Sequence, residues 1–184
     1  MEREILFTGI GGQGIQLMAK VLAQAVAADG RHAMLFGLYH GAMRGGASDT
    51  TLVVGDAPIE APPIVPACWS IVALHPRSLE PLLPKLRPDG FLFADETLVP
   101  TAPPRGVTRI EVPATRIAER DGNRLGTGMV MLGAFVGWTG LVALDEVVAA
   151  MHAALPSHRA KMADANAALL DAGATWARGV RGAA

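Results

Sequence analysis

Four glycines stand where the first apolar run of this chain gives way to a helical pattern. In the stretch FTGIGGQGIQLMAKVLAQAVA (Phe7 to Ala27), Gly9, Gly11 and Gly14 satisfy the spacing G-x-G-x-x-G, with Gly12 and Gln13 between them. That spacing suits diphosphate binding. The first glycine permits a tight turn, the second lets backbone N–H groups approach phosphate oxygens, and the third lets strand and helix pack closely. The helix N-terminus adds unpaired N–H donors and about half a positive charge. The same glycines would equally serve a bare strand-to-helix crossing with no ligand.

The residue set narrows what such a loop could hold. A nicotinamide dinucleotide site carries an acid at the end of the second strand to bind ribose hydroxyls. Here Arg31 to Ser48 contains no Asp or Glu, and Asp49 comes too late. Arg44 could meet the 2′-phosphate of NADP, although it too falls late. No Lys-Ser or Lys-Thr pair closes the glycine run, which excludes a nucleoside-triphosphate loop of the P-loop kind.

A second glycine-rich stretch, YHGAMRGGASDTTLVV (Tyr39 to Val54), sets Arg44 before Gly45 and Gly46. One fixed cation there stands beside a backbone that a ligand or another subunit could approach. The alternative is a surface turn with a solvated arginine. Both loops are expected to leave the C-terminal ends of strands, where open α/β sheets place their sites.

The other reactive residue types form no catalytic grouping. No paired carboxylates, metal-spaced His/Cys cluster or Ser/His/Asp arrangement is present. His32 and His40 flank the second strand too far apart for a helical metal pair. His75 ends a strand and is a candidate polar contact or an ordinary edge histidine. Asp95 and Glu96 also sit at a strand end, where capping the next turn is the simpler role. His152 and His158 fall among surface-type helical residues. The single cysteine, Cys68, rules out disulfides within the chain and a cluster ligated by this chain alone, and its apolar context predicts a buried thiol.

These residues need elements to position them. Apolar periodicity predicts strands at Arg3–Ile10, His32–Tyr39, Asp49–Gly55, Trp69–His75, Gly90–Glu96 and Val107–Pro113. It predicts helices at Ile15–Ala28, Leu79–Leu86, Ala114–Glu119, Met129–Trp138, Leu144–Ala153 and His158–Trp176. Alternating strands and helices followed by a helical tail imply a Rossmann-like α/β fold. Its sheet would be mainly parallel, with helices on both faces and a helical C-terminal segment. The 184 residues suit a single domain, 1–184.

Composition excludes further classes. The net charge of −1, from 16 basic and 17 acidic residues, gives no electrostatic grip on nucleic acid. No apolar run reaches the roughly 18 residues that span a bilayer. The nearest, MVMLGAFVGWTGLVAL (Met129 to Leu144), reads as a buried helix and turn. The start MEREILF enters a strand directly, so the expectation is a cytoplasmic protein without a signal peptide. An apolar fraction of 51% against 18% charged residues leads us to expect partner chains.

The ordered set GIGGQG, MRGGAS, API at Ala57 to Ile59 and VPATRIAE at Val112 to Glu119 resembles the gamma subunit of the 2-oxoacid:ferredoxin (or other acceptor) oxidoreductases. The resemblance runs along nearly the whole chain. It implies an α/β subunit of an enzyme that oxidatively decarboxylates a 2-oxo acid to acyl-coenzyme A. It also implies alpha, beta and ferredoxin-like partner subunits, and leaves room for a further electron-transfer subunit. Thiamine diphosphate and the iron–sulfur clusters would belong to those partners. This chain would help bind coenzyme A through Gly9, Gly11, Gly12, Gln13, Gly14, Arg44, Gly45 and Gly46, and would make or break no bonds itself.

The chain departs from the family pattern in two places. LYHGAMRGG lacks the acidic residue that often precedes Arg-Gly-Gly and carries His40, and Gly128 precedes Met129 where an Asn-Met pair is usual. These departures suggest a branch acting on aromatic or branched 2-oxo acids such as indolepyruvate or phenylglyoxylate. Two other readings stay open at this point: a free-standing NAD(P)-binding oxidoreductase, and an assembly subunit that binds no ligand.

Overall fold

The computed structural model describes residues 1–39, 46–60, 64–155 and 160–183. Six strands form one sheet: β1 (Glu2–Ile10), β2 (His32–Tyr39), β3 (Ala47–Gly55), β4 (Cys68–Ala73), β5 (Leu86–Asp95) and β6 (Thr108–Val112). Their order across the sheet is β2-β3-β1-β4-β5-β6. β1, β4, β5 and β6 pair in parallel, while β3 runs antiparallel to both β1 and β2. The sheet is therefore mainly parallel with one reversed strand. The reversal follows from chain length, since the few residues between Tyr39 and Ala47 allow a hairpin but not a parallel crossover.

Both faces of the sheet are covered, so its strands are apolar on both sides. Ile5, Leu6 and Phe7 of β1 are consecutive and all buried. Ile5 and Phe7 join one core cluster and Leu6 the other. The larger cluster lies under α1 (Ile15–Ala28), α3 (Ala114–Arg120), α4 (Thr127–Thr139), α5 (Leu144–Ala154) and α6 (Ala160–Ala183). The smaller is closed by α2 (Pro76–Leu79), a 3₁₀ segment from Glu80 to Lys85, and the loop residues Val65 and Val99.

α4 is buried nearly all round: Gly128 to Val136 are all buried, with the apolar side chains from Met129 to Phe135 at 3% exposure or less. Phe135 meets Phe7, Trp69 and Phe93 edge-on at 6.4, 6.0 and 5.1 Å, pinning α4 across three strands. On its other side α4 presents Gly133 to α6. A Cβ on Gly133 would lie 2.0 Å from the Leu170 carbonyl oxygen, and one on Gly173 of α6 would lie 2.0 Å from that of Val130. The long apolar run of the sequence is thus a core helix capped by Gly140. Among the described residues no helix is long and apolar enough to cross a membrane.

One predicted helix is displaced. The expected Leu79–Leu86 helix is instead the single turn Pro76–Leu79, followed by 3₁₀ structure and then β5 from Leu86. Pro84 cannot donate to an α-helical ladder, and its ring obstructs the preceding turn, so the chain tightens and then extends. The segment RPDG lies within β5, where Asp89 takes a positive φ of 66° and its amide bonds the Gly106 carbonyl at 3.0 Å.

Candidate functional site

The glycine loop joins the C-terminal end of β1 to α1. This edge of the sheet is also where β2 ends and β3 begins, so the two glycine-rich stretches meet there. The Gly11 amide donates to the Gly46 carbonyl at 3.0 Å. Arg44 and Gly45 lie outside the described residues. So does His40.

The loop is held by its own side chain. Gln13 Oε1 accepts from the Ile10 amide at 2.8 Å, and Gln13 Nε2 donates to the Leu74 carbonyl at 3.0 Å. One amide group thereby ties the end of β1 to the chain leaving β4. Gly9 makes room for it, because a Cβ there would lie 2.6 Å from Gln13 Oε1 and from Ile15 Cδ1. Gly12 is exposed at φ +100°, in backbone space that L side chains rarely occupy. Gly14 is the α1 N-cap, and no side chain caps the helix. The Gln13 amide donates to the Ile10 carbonyl at 3.2 Å.

Below the loop opens a crevice of about 290 Å³, lined by Ile10, Gly12, Gln13, His75, Leu98, Thr115, Arg124, Leu125 and Thr127. It sits outside the carboxyl ends of β1 and β4, where the chain's connections diverge to opposite sides of the sheet. Open α/β sheets place ligands at such a point. No carboxylate lines it.

Its far wall is built by the turn before α4. Arg124 opens a short 3₁₀ segment (Arg124–Gly126), and Thr127 Oγ1 donates back to the Arg124 carbonyl at 2.8 Å. The Arg124 side chain is 76% exposed, and its Nε meets Glu119 Oε1 at 3.4 Å. Leu125 beside it is 85% exposed. The sequence reading did not single out Arg124, since an arginine in a polar turn carries no local signature.

His75, predicted as a polar contact or an edge histidine, lines this crevice and caps α2. Its Nδ1 accepts from the Arg77 amide at 3.3 Å. Asp95 is fully buried and accepts from the amides of Thr97, Leu98 and Thr115 at 2.9, 2.9 and 2.7 Å, and from Thr115 Oγ1 at 2.9 Å. It is a structural cap, as expected, and it holds Thr115 and Leu98 in the crevice wall. Glu96 pairs with Arg116 at 2.9 Å. His152 approaches Asp164 at 3.9 Å, far from the crevice, while His158 lies outside the described residues.

Cys68 is buried, and desolvation, helped by the charge of Glu4, pushes its thiol up to about 12. Among the described residues no three His, Cys, Asp or Glu side chains come together to hold a metal ion. With Gln13 Nε2, Thr115 Oγ1 and Thr127 Oγ1 committed within the chain, Arg124 and His75 are the crevice's side-chain donors, and no lining residue is an acid, a setting for an anionic group rather than a cation.

Comparison with known proteins agrees with this architecture. The family model described as pyruvate ferredoxin/flavodoxin oxidoreductase matches residues 4–176. The ketoisovalerate oxidoreductase subunit VorA of Methanothermobacter thermautotrophicus is 33% identical over 182 residues, which is 96% of this chain and 37% of that protein. The chain therefore spans little more than a third of the length of that relative. The 2-oxoglutarate synthase subunit KorC of Methanocaldococcus jannaschii is 32% identical over 160 residues, 85% of each protein. Among solved structures, the gamma subunit of the keto/oxoacid ferredoxin oxidoreductase of Geobacter sulfurreducens superposes with a TM-score of 0.80 at 26% identity. The match covers 95% of this chain and 98% of that one. The shared fold, the glycine loop and the extent of these matches place this chain in the pyruvate ferredoxin/flavodoxin oxidoreductase family.

Proposed function

We propose that this chain is the gamma component of a cytoplasmic 2-oxoacid oxidoreductase that converts a 2-oxo acid to acyl-coenzyme A. In that role it contributes part of the coenzyme A site and docks to alpha, beta and ferredoxin-like chains. Thiamine diphosphate and iron–sulfur clusters reside on those partners. The proposed cofactor-contacting residues are Gly9, Gly11, Gly12, Gln13, Gly14, Arg44, Gly45 and Gly46.

The observation that carries this reading is the crevice at the carboxyl edge of β1 and β4, where Arg124 and His75 offer donors and no lining residue among those described is an acid. At about 290 Å³ it falls at the lower limit of the roughly 300–1,000 Å³ that accommodate whole ligands. It would hold part of a molecule as large as coenzyme A, with a partner chain holding the rest.

A nicotinamide site fits less well. The antiparallel β3 lies between β1 and β2, so the tip of β2, which carries the ribose-binding acid in dinucleotide folds, is not next to the glycine loop. An assembly role without ligand is favoured by one observation, that the Ile10, Gly11 and Gln13 amides are bonded internally.

The test is to purify the complex with its partner chains and measure coenzyme A affinity for the wild type, Gly12→Val and Arg44→Ala. Weakened coenzyme A binding with the complex still assembled is the expected result. Unchanged affinity in both variants would leave only the assembly role. The acid itself is identified by comparing kcat/KM for indolepyruvate and phenylglyoxylate with that for ketoisovalerate, pyruvate and 2-oxoglutarate.

A further inference from the structure

We infer that Arg124 and His75, on the walls facing the glycine loop, are the principal anion-binding groups of the crevice, and that they take a diphosphate. This deepens the proposed function, on which the choice of ligand rests. The argument begins with the loop amides. The Ile10 N–H is held by Gln13 Oε1, the Gly11 N–H by the Gly46 carbonyl and the Gln13 N–H by the Ile10 carbonyl. With these three amides spent on the loop's own architecture, the loop keeps only part of its donors for a phosphate.

The donors that remain come from elsewhere in the chain. Arg124 has a largely exposed side chain, and its ion-pair partner Glu119 sits at 3.4 Å, beyond the 2.7–2.9 Å of a strong charge-assisted bond. Its guanidinium offers five donors in a planar fork suited to phosphate or carboxylate oxygens. His75 accepts the Arg77 amide at Nδ1, so the neutral ring carries its proton on Nε2 and is a donor there. None of the residues lining the crevice is an acid, and the carboxylate that an anion would displace from Arg124 is that of Glu119. A nucleotide diphosphate and a substrate carboxylate share this chemistry. The diphosphate is favoured because a guanidinium fork and a neutral N–H donor on separate elements can each meet one phosphoryl group, whereas a lone carboxylate would be satisfied by the fork alone.

Two experiments test the inference. In the first, the full-length chain is titrated calorimetrically with inorganic pyrophosphate. Arg124→Gln should weaken binding roughly tenfold to a hundredfold, the range expected for losing a hydrogen-bonded charge. Arg124→Lys should lose less. His75→Asn, whose carbonyl can still accept the Arg77 amide but which lacks the Nε2 donor, should weaken binding by several-fold. Glu119→Gln, which releases Arg124, should leave binding equal or tighter. Equal binding by wild type and Arg124→Gln, or none by wild type, overturns the inference.

In the second, the assembled oxidoreductase is assayed with coenzyme A and with pantetheine, which lacks the diphosphate. Arg124→Gln should raise the KM for coenzyme A and leave that for pantetheine unchanged. If it raises the KM for the 2-oxo acid instead, the bound group is a carboxylate and the diphosphate assignment falls. If the wild-type complex forms no acyl-coenzyme A, the proposed function fails, while the pyrophosphate titration still decides the role of Arg124 and His75.

Discussion

Gln13 offers the sharpest test of how this site is built. Its side-chain amide receives one hydrogen bond from the Ile10 amide at 2.8 Å and gives another to the Leu74 carbonyl at 3.0 Å. Each such bond contributes about 0.5–1.5 kcal/mol net, and more where the abandoned partner stays dry. Both positions are partly buried rather than sealed, so water can replace some of the loss, and Gln13→Ala should cost about 2 kcal/mol. In a chain of this size that lowers Tm by roughly 4–8 °C.

Gly9→Ala should cost a similar amount for the same reason, because the new Cβ would lie 2.6 Å from Gln13 Oε1 and push the amide off its partners. Gly9 has no positive φ, so the backbone itself tolerates alanine. The double variant should then be less destabilised than the sum of the singles by about 1 kcal/mol, since alanine at position 13 removes the clash with Oε1 and leaves only that with the flexible Ile15 Cδ1. Urea unfolding of the four proteins, read by far-ultraviolet circular dichroism, measures the cycle. Strict additivity, or a cost below about 0.5 kcal/mol for Gln13→Ala, would refute the idea that this side chain staples β1 to β4.

Three further outcomes follow from the packing. Asp95→Ala deletes the acceptor of four hydrogen bonds in a fully buried setting and should destabilise by about 3–5 kcal/mol in chemical denaturation. Gly173→Ala places a Cβ 2.0 Å from the Val130 carbonyl oxygen and should cost at least about 2 kcal/mol by forcing α4 and α6 apart. Gly179→Ala, on the same helix but facing open space, should be neutral or stabilising by about 0.5–1 kcal/mol in the same measurement. Cys68, buried with its thiol raised to about 12, should resist a thiol reagent at pH 8 in the native protein and react once urea unfolds it. Rapid native labelling would show that the face closed by α2 opens readily.

Local signals were enough to read some elements from the residues alone. α1 was legible to the residue, because Gly14 and the alanine-rich periodicity mark its start and Gly30 follows its end. β2 was equally clear as the apolar run His32–Tyr39. The insertion of β3 between β2 and β1 was not legible. Strand pairing depends on which edges meet in space, and the pattern of β3 suits either direction. The single turn at Pro76 was misread as a longer helix displaced toward Leu86, because apolar spacing persisted where two prolines forbid an α-helical ladder. On the site, sequence reasoning pointed to the loop at positions 9 to 14, to Asp95, whose hydrogen bonds are those of a cap, and to His75, which caps α2 and lines the crevice. It missed Arg124, which comes opposite Gly12 only because the β1-β4-β5 order and the α4 wedge bring a distant turn to the same edge.

The expectation of partners drawn from composition needs the same spatial scrutiny. An apolar fraction of 51% is high for a single small domain, but a sheet covered on both faces and a helix buried all round absorb most of it. Large apolar side chains left exposed among the described residues are Met1, Leu35, Ile64, Leu125, Met162 and Val180, spread over the chain, with Met162 and Val180 near opposite ends of α6. Scattered exposure of that kind is ordinary on a protein surface and marks no interface by itself. The better physical reason to expect a neighbouring chain is the crevice. If it holds part of coenzyme A, as proposed, its volume of about 290 Å³ leaves the rest of that ligand to whatever domain or chain packs against this edge.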